Sequence, residues 1–311
     1  MRSSLALIAT TGVLAIALTG CAGTAPAPQA STGSSVDAVD VQGDFGSEPR
    51  VSFPTPLTPE ATQCVEVIAG TGPLLQEGQM VMVSAALFDT ETGDEIQAVG
   101  YGDDDPVALT IGGPSTLDGF TKGLTCAREG SRVAMVVPPA DASNPSTGAK
   151  PQTGVVAVFD VHQAFLSRAD GAPRLSRDGF PAVVLAPDGR PGITVPKADP
   201  PTTTQVEVLR EGSGETVESG DRVVVHYTGV LWDEGTVFDS SWSKGAAAVF
   251  TVADDEDSQV VPGFAEAIIG QKVGSQVGVI IPPDQAYGDQ GSGSVPGGAT
   301  LFFVIDILGV A

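Results

Sequence analysis

The sequence predicts an α+β fold with an antiparallel sheet, and it predicts that fold twice. Short segments rich in β-branched and aromatic residues are separated by turn residues, and only one segment of the second half resembles a short helix. A shift of 142 positions (191 minus 49) lays the first half of the chain on the second. Several strands around one short helix are typical of the α+β class.

The duplication is carried mainly by glycine and proline. The shift aligns these residues with their counterparts: Pro49 with Pro191, Pro54 with Pro196, Gly70 with Gly212, Gly78 with Gly220 and Gly93 with Gly235. After small length changes, Gly119-Phe120 matches Gly263-Phe264 and Pro138-Pro139 matches Pro282-Pro283. Internal repetition of this kind indicates two copies of one structural unit.

The strands of the second copy are predicted from their residue types. They cover Val206 to Leu209, Asp221 to Val230, Val249 to Val252, Val277 to Ile281 and Leu301 to Leu308. The segment from Gly263 to Gly270 is the predicted helix, with Pro262 in its first turn.

Length and charge limit the possible functions. The 311 residues are enough for about two domains. With 38 acidic against 15 basic residues, the formal net charge is -23. Phosphate binding depends on clustered Lys and Arg, so the composition argues against nucleic acid as a ligand. Nothing in the sequence indicates an oligomer.

The N-terminus has the pattern of an export signal. An apolar run from Leu5 to Leu18 is followed by Leu18-Thr19-Gly20-Cys21. The run is too short to span a bilayer. Its ending resembles the bacterial lipoprotein signal, which implies that residues 1–20 are removed and that Cys21 is lipidated. The protein would then be anchored to the outer face of the cell membrane. A plain secretory signal with a chance cysteine is the alternative.

Two further segments are predicted to lie outside the repeated units. Residues 21–48 are rich in Ala, Pro, Ser and Gly and are expected to form a disordered tether. Residues 167–203 are expected to form a connector, in which 182–185 and 192–195 could pair as short strands.

Cys64 and Cys126 are the remaining cysteines once Cys21 is lipidated. In an exported protein a disulfide between them is plausible. The sequence leaves two small buried thiols as the alternative.

The second copy contains a set of motifs in a fixed order. They are VVVHYTG, GTVFDSS, VVPGF, IPPDQAYG and ATLFFVIDIL, between Val223 and Gly309. In that order they resemble the FKBP-type peptidyl-prolyl isomerase domain. The resemblance implies two FKBP-like domains, each with a curved antiparallel sheet around one short helix. Residues 204–311 would be the isomerase domain.

The resemblance also assigns a proline pocket. Its catalytic aromatic and acidic residues would be Tyr227, Phe238, Asp239, Phe264, Tyr287 and Phe303. Substrate contacts would come from Phe250, Val260, Val261 and Val295, with the backbone N–H of Val261 holding a substrate carbonyl. Two positions depart from the family pattern, because Phe264 stands where Trp is common and Ala248 where an aromatic residue is common.

Other chemistries have weaker patterns. The acidic run at 254–257 lacks the spacing of a calcium loop. Ser241-Trp242-Ser243-Lys244 fits S-x-x-K without any partner motif. The chain has only two histidines, which leaves little for a metal site or a serine triad. No metal and no cofactor is therefore expected.

The first copy, residues 49–166, lacks the pocket residues. Ala85 takes the place of Tyr227, Ile96 of Phe238, Gln97 of Asp239, Ser143 of Tyr287 and Ala157 of Phe303, while Phe120 remains opposite Phe264. This pattern predicts a degenerate domain that keeps the fold without the activity.

The leading functional prediction is a prolyl isomerase that acts on exported, proline-containing polypeptides at the cell surface. The alternative is a polypeptide-binding chaperone in which isomerisation is incidental. A third possibility is a purely structural surface lipoprotein without activity.

Overall fold

The computed structural model describes residues 27–143, 148–149 and 151–311. The predicted signal peptide and Cys21 lie outside the described residues. The described part is built from two antiparallel sheets, each with a short helix against one face. The predicted α+β class is therefore confirmed.

The first repeat, as we name residues 27–166, begins with a small hairpin and continues into a six-stranded sheet. The hairpin pairs β1 (Asp40–Gln42) with β2 (Arg50–Ser52). The sheet and its helix follow as β3 (Gln63–Ile68), β4 (Met80–Asp89), β5 (Glu95–Val99), β6 (Val107–Thr110), α1 (Asp118–Leu124), β7 (Arg132–Val137) and β8 (Val155–Ala164). The strand order is β3-β7-β8-β4-β5, with β6 also paired to β4.

The second repeat, residues 167–311, has the same plan. It begins with β9 (Ala172–Pro173) and a hairpin of β10 (Ala182–Leu185) and β11 (Pro191–Thr194). The sheet follows as β12 (Gln205–Glu211), β13 (Arg222–Leu231), β14 (Val237–Ser240), α2 (Ser241–Lys244), β15 (Ala248–Thr251), α3 (Pro262–Ile268), β16 (Gln276–Ile281) and β17 (Leu301–Val310). The strand order β14-β13-β17-β16-β12 matches that of the first sheet, and β9 adds an edge strand.

The five strands predicted for the second repeat lie within two residues of β12, β13, β15, β16 and β17. The predicted helix is α3, which begins at Pro262 rather than Gly263. Pro262 suits this place because the first turn of a helix needs no backbone donor. The pairing expected in the connector is also present, one residue earlier in its second strand.

Residues 21–48 were expected to form a disordered tether, and this prediction is wrong for residues 27–48, which are ordered. Val36 is only 1% exposed, and Val41 pairs with Val51 in the first hairpin. All three valines pack with Phe88 on the face of the first sheet that is turned away from α1. The composition was misleading because three-residue strands are too short to show a periodic pattern.

The hairpin of each repeat covers the outer face of its own sheet. By the shift of 142 positions, Val41 corresponds to Val183 and Val51 to Ile193. Val183 and Ile193 pack with Phe302 on the second sheet. The repeated unit therefore includes the segment before its main sheet, residues 27–62 in the first repeat and 167–204 in the second, which we call the lead segment. The sheet of each repeat is covered on both faces.

A buried carboxylate anchors each lead segment. In the first repeat, Asp160 pairs with Arg132 at 2.6 Å and accepts the N–H of Gly46 at 2.7 Å. The corresponding Asp306 of the second repeat accepts the amide of Gln276 at 2.6 Å and the N–H of Ala169 at 2.8 Å. Burial raises the pKa of Asp306 to about 6, in spite of these two donors.

Cys64 and Cys126 form a disulfide, with their Cα atoms 6.5 Å apart. It joins β3 to the segment that follows α1. Cys64 is buried in the core of the first repeat beside Leu124 and Met135. The free-thiol alternative therefore does not describe the structure.

Candidate active site

A cavity of about 670 Å³ opens between the second sheet and α3. Nine of the ten pocket residues predicted from the sequence line it: Tyr227, Phe238, Asp239, Phe250, Val260, Val261, Phe264, Tyr287 and Phe303. The tenth, Val295, is not part of the lining. It is 6% exposed and packs in the core of the second repeat, below the loop in which it lies.

The walls are aromatic rings in edge contact with one another. The ring of Phe264 lies 5.3 Å from that of Phe303 and 6.1 Å from that of Tyr227, nearly perpendicular to both. Phe238 meets Phe303 at 5.4 Å, also edge to face. Perpendicular arrangements are favourable for aromatic pairs, so the rings fix one another's positions. The result is a concave apolar surface that a saturated ring could enter.

Strand alternation directs the rings into this space. Tyr227 on β13 lies beside Ile305 of β17, and Phe303 lies two residues before it on the same face. Between them, Gly229 leaves room, because a Cβ there would lie 2.7 Å from the rings of both Phe238 and Phe303. The cavity therefore depends on a missing side chain as well as on the aromatic ones.

A polar group stands at one edge of this apolar wall. The hydroxyl of Tyr227 donates to Asp239 Oδ2 at 2.7 Å. Lys244 contacts Asp239 Oδ1 at 2.6 Å, and its ammonium lies 5.8 Å from the centre of the Tyr227 ring. The three side chains contact one another, which orients the ionised carboxylate at the cavity mouth.

The charges of this group are set by burial and by hydrogen bonds. Burial alone would raise the pKa of Asp239, but hydrogen bonds from Lys244 and Tyr227 outweigh it and hold that pKa below its ordinary value. Burial, aided by the bond to Asp239, raises the pKa of Tyr227. At neutral pH, Tyr227 is therefore a hydrogen-bond donor and Asp239 an acceptor.

The back of the wall is held by α2. Ser241 Oγ accepts the backbone N–H of Tyr227 at 2.9 Å and lies 2.8 Å from Nδ1 of His226. The indole of Trp242 stacks on the imidazole with centroids 4.0 Å apart. Burial lowers the pKa of His226 to about 4, so the ring is neutral at pH 7. His226 supports the wall from the outer face of the sheet and takes no part in the lining.

One backbone donor, the N–H of Val261, and one side-chain donor, the hydroxyl of Tyr287, belong to residues that line the cavity. Val261 is extended and precedes α3, and no acceptor among the described residues receives its backbone N–H. Tyr287 also lines the cavity and is 37% exposed. An apolar cavity flanked by donors can hold a peptide by its carbonyl groups while a ring lies inside.

The sequence did not identify Ser241 and Lys244 as site residues. Both belong to the S-x-x-K segment, which has no partner motif elsewhere in the sequence. Their role arises because the single turn of α2 returns Lys244 to the carboxylate of Asp239, five residues earlier. One feature of the sequence could have indicated them: the segment Ser241–Lys244 directly follows the short strand that carries Asp239.

Different residues stand at the same place in the first repeat. Phe159, the counterpart of Ile305, meets Phe120 at 5.1 Å. Leu87 stands where the second repeat has Gly229, and its strand partner is Gln97. Ser143 donates to the carbonyl of Ala140 and provides no ring. The aromatic walls and the acidic edge are thus both missing from the described part of this repeat.

No cluster of three or more His, Cys, Asp and Glu side chains suited to a metal occurs in the described residues. No helix within those residues is long and apolar enough to cross a membrane.

Comparison with known proteins gives a consistent result. The family model for FKBP-type peptidyl-prolyl cis-trans isomerase matches residues 213–308. A Streptomyces anulatus protein described as an FK506-binding protein is 36% identical over 123 residues, which cover 39% of this chain and 97% of that protein. The FKBP-type 22 kDa peptidyl-prolyl cis-trans isomerase of Escherichia coli is 44% identical over 105 residues, 33% of this chain and 48% of that protein. The crystal structure of FkpA from Escherichia coli is similar at 30% identity and a TM-score of 0.33, over 43% of this chain and 53% of that one.

Proposed function

The chain belongs to the family of FKBP-type peptidyl-prolyl cis-trans isomerases, which act on proline-containing polypeptides, and on that premise we propose that the cavity of the second repeat is its active site. One observation carries the proposal. Phe238, Phe264, Phe303 and Tyr227 converge on one cavity with Asp239 at its edge, whereas the first repeat keeps the fold and lacks four of these five side chains at the equivalent positions.

The reaction needs surroundings of this kind. Rotation about a peptide bond breaks its resonance and meets a barrier of about 18–20 kcal/mol. The twisted amide has less charge separation than the planar one, so an apolar wall stabilises it relative to the ground state. Each factor of ten in rate requires about 1.4 kcal/mol of that difference. No nucleophile is involved, and the rings around Phe303 provide the dry surface.

The donors at the opening would orient the substrate. In our proposal the proline ring lies against Phe264, and the N–H of Val261 holds a carbonyl of the substrate. The hydroxyl of Tyr287 binds the chain on the other side of the opening. Asp239, held by Tyr227 and Lys244, presents a fixed negative charge beside the rotating carbonyl. Fixed groups of this kind need no reorganisation during the reaction.

An isomerase assay on the full chain tests the assignment. We expect Phe264→Ala and Asp239→Ala each to lower kcat/KM by about tenfold or more, because each removes part of the wall or its charged edge. The matched control is Gln97→Ala, which alters the position equivalent to Asp239 in the first repeat. Equal activity of all three variants and the parent would refute the site, and an inactive parent would refute the enzymatic reading of this cavity.

A polypeptide-binding chaperone is the second candidate, and one feature favours it. Ala246, Ala247 and Ala248 form one side of the cavity, which leaves that side lower than an aromatic residue would. A chain could therefore bind across the opening without inserting a proline. Binding of an unfolded polypeptide without proline, measured at the affinity of its proline-containing counterpart, would support the chaperone over the isomerase.

The site of action is a further part of the proposal. We place the protein on the outer face of the bacterial membrane, anchored by lipid at Cys21, because the LTGC pattern follows an apolar run of export-signal length. The first repeat, whose described residues begin at 27, would then follow closely on the anchor. Radiolabelled palmitate should be incorporated by the parent and by Cys64→Ser but not by Cys21→Ser, and labelling of Cys21→Ser would refute the anchor.

A further inference from the structure

The two repeats meet at an apolar contact directly behind the cavity. Met80 and Phe165 of the first repeat pack with Val224, Ala247 and Leu308 of the second, and all five are buried. Two hydrogen bonds cross the contact. The N–H of Leu166 donates to the carbonyl of Leu308 at 3.2 Å, and the side chain of Gln163 donates to the carbonyl of Val310 at 2.8 Å.

The fit of this contact requires a glycine. A Cβ at Gly309 would overlap the ring of Phe165, so the ring rests directly on the backbone of β17. Phe165 is itself held by Met80, whose carbonyl accepts its N–H at 3.0 Å. The ring of Phe165 thus packs against the second sheet at Gly309, where no side chain stands in its way.

Ala247 connects this contact to the cavity. It belongs to the segment 241–248, which carries Lys244 and the alanine wall, and it lines the cavity on one side while it packs in the contact on the other. The same segment approaches the first repeat at Gly245, where a Cβ would lie 3.6 Å from the ring of Pro114. The segment therefore lies between the substrate cavity and the first repeat, with Ala247 buried in the contact.

Resting on the function proposed above, we propose that the first repeat is a positioning element of the isomerase cavity. Met80 and Phe165 hold Ala247, and through it the segment 241–248, in the place where Lys244 reaches Asp239 and the alanine wall meets the substrate. This assigns a role to a repeat whose described residues lack the aromatic walls and the acidic edge of the cavity. Met80 and Phe165 are positioning residues, because neither touches the substrate site.

The test uses the full chain and two readouts. Trp242 lies in the segment 241–248, and the only other tryptophan of the sequence can be removed by Trp232→Phe. In that background we expect Phe165→Ala to lower kcat/KM about tenfold, mainly through a higher KM, because a displaced wall binds the chain less well. Acrylamide quenching of Trp242 should rise in the same variant. Phe53→Ala removes a similar ring from the hairpin side of the first repeat and should change neither.

A second pair of variants separates positioning from general damage. Gly309→Ala should lower kcat/KM and raise quenching by pushing Phe165 away, and it should have no further effect once Phe165→Ala is present, because the overlapping ring is gone. Additive effects, or an unchanged Trp242 in both single variants, would overturn the proposal. An inactive parent would refute the proposed function instead, and the quenching data would still decide whether the first repeat holds the segment.

Discussion

A single substitution in the first repeat would give its buried carboxylate the same side-chain partner as the buried carboxylate of the second repeat. Arg132 and Asp160 are both fully buried, with Nε to Oδ1 at 2.6 Å and Nη2 to Oδ2 at 2.7 Å. The guanidinium also donates to the carbonyls of Gly43, Asp44 and Ser47 in the lead segment. The second repeat has Gln276 in place of Arg132 and Asp306 in place of Asp160. Arg132→Gln would therefore give the first repeat the network of the second.

The expected cost follows from what the substitution leaves behind. Removing one partner of a buried pair costs about 3–5 kcal/mol, because the other charge remains in a site of low polarity. The carboxylate would then have the partners of Asp306, an amide and one backbone N–H. Burial raises the pKa of Asp306 to about 6 from an ordinary value of 3.8. A shift of that size corresponds to about 3 kcal/mol.

The sign of the pH dependence can be stated in advance. A carboxyl whose pKa is raised by folding stabilises the protein fully below its unfolded pKa and loses that contribution as the pH rises through its folded pKa. The deficit of Arg132→Gln relative to the parent should therefore be largest at pH 7. It should shrink by about 3 kcal/mol as the pH falls to about 4.

Urea unfolding followed by far-ultraviolet circular dichroism measures the deficit at each pH. Hydrogen exchange should rise in residues 40–52, because the lead segment loses three carbonyl contacts. Arg128→Gln is the matched control, since its pair with Glu66 is partly exposed and should cost about 1 kcal/mol or less. A deficit that is independent of pH would refute the reasoning, and so would a deficit no larger than that of Arg128→Gln.

Three further predictions concern the cavity and the cores. Gly229→Ala should abolish most isomerase activity with unchanged circular dichroism, because its Cβ would enter the space of two cavity rings. His226→Phe should flatten the loss of stability between pH 6.5 and pH 4, because burial lowers the pKa of His226 to about 4, and the stability associated with neutral His226 is lost as the pH falls through that range. The double variant Cys64→Ser/Cys126→Ser should lose about 4 kcal/mol in urea unfolding, as expected for a loop closed over 62 residues.

The first of these predictions has a matched control, and each has an outcome that contradicts it. For the glycine, Gly192→Ala meets its nearest atom at 3.4 Å and should leave activity intact, and full activity of Gly229→Ala would show that the cavity tolerates the added carbon. For the histidine, an unchanged slope with pH would show that His226 does not control acid stability. For the disulfide, equal stability of parent and double variant under oxidising conditions would contradict the structure.

The aromatic cavity could be predicted because its residues stand in local motifs that resemble those of a known family. Tyr227, Phe238 and Phe303 occur on strands whose alternation already fixes the face on which each ring lies. The helix was predictable from Pro262 and the apolar pattern after it. In such cases the relevant information lies within a few neighbouring residues, so a pattern in the sequence is enough.

The first lead segment and α2 could not be predicted because their order depends on distant partners. The first hairpin is stabilised by burial of Val41 and Val51 against a sheet formed later in the chain. Lys244 becomes part of the site only because α2 turns it back to Asp239. Three-residue strands and a one-turn helix have little stability alone, so tertiary contacts decide their structure.

The comparison of the two repeats shows that losing the cavity took more than losing aromatic residues. Replacing Phe303 by a smaller side chain would by itself enlarge the space, and an enlarged apolar cavity is unstable. The first repeat combines the small Ala157 with Leu87 at the position of Gly229, so volume removed at one place is restored at another. The core of the first repeat was therefore repacked as a unit. This is the behaviour expected of a repeat whose remaining role depends on a stable, rigid body, as a support for the second repeat requires.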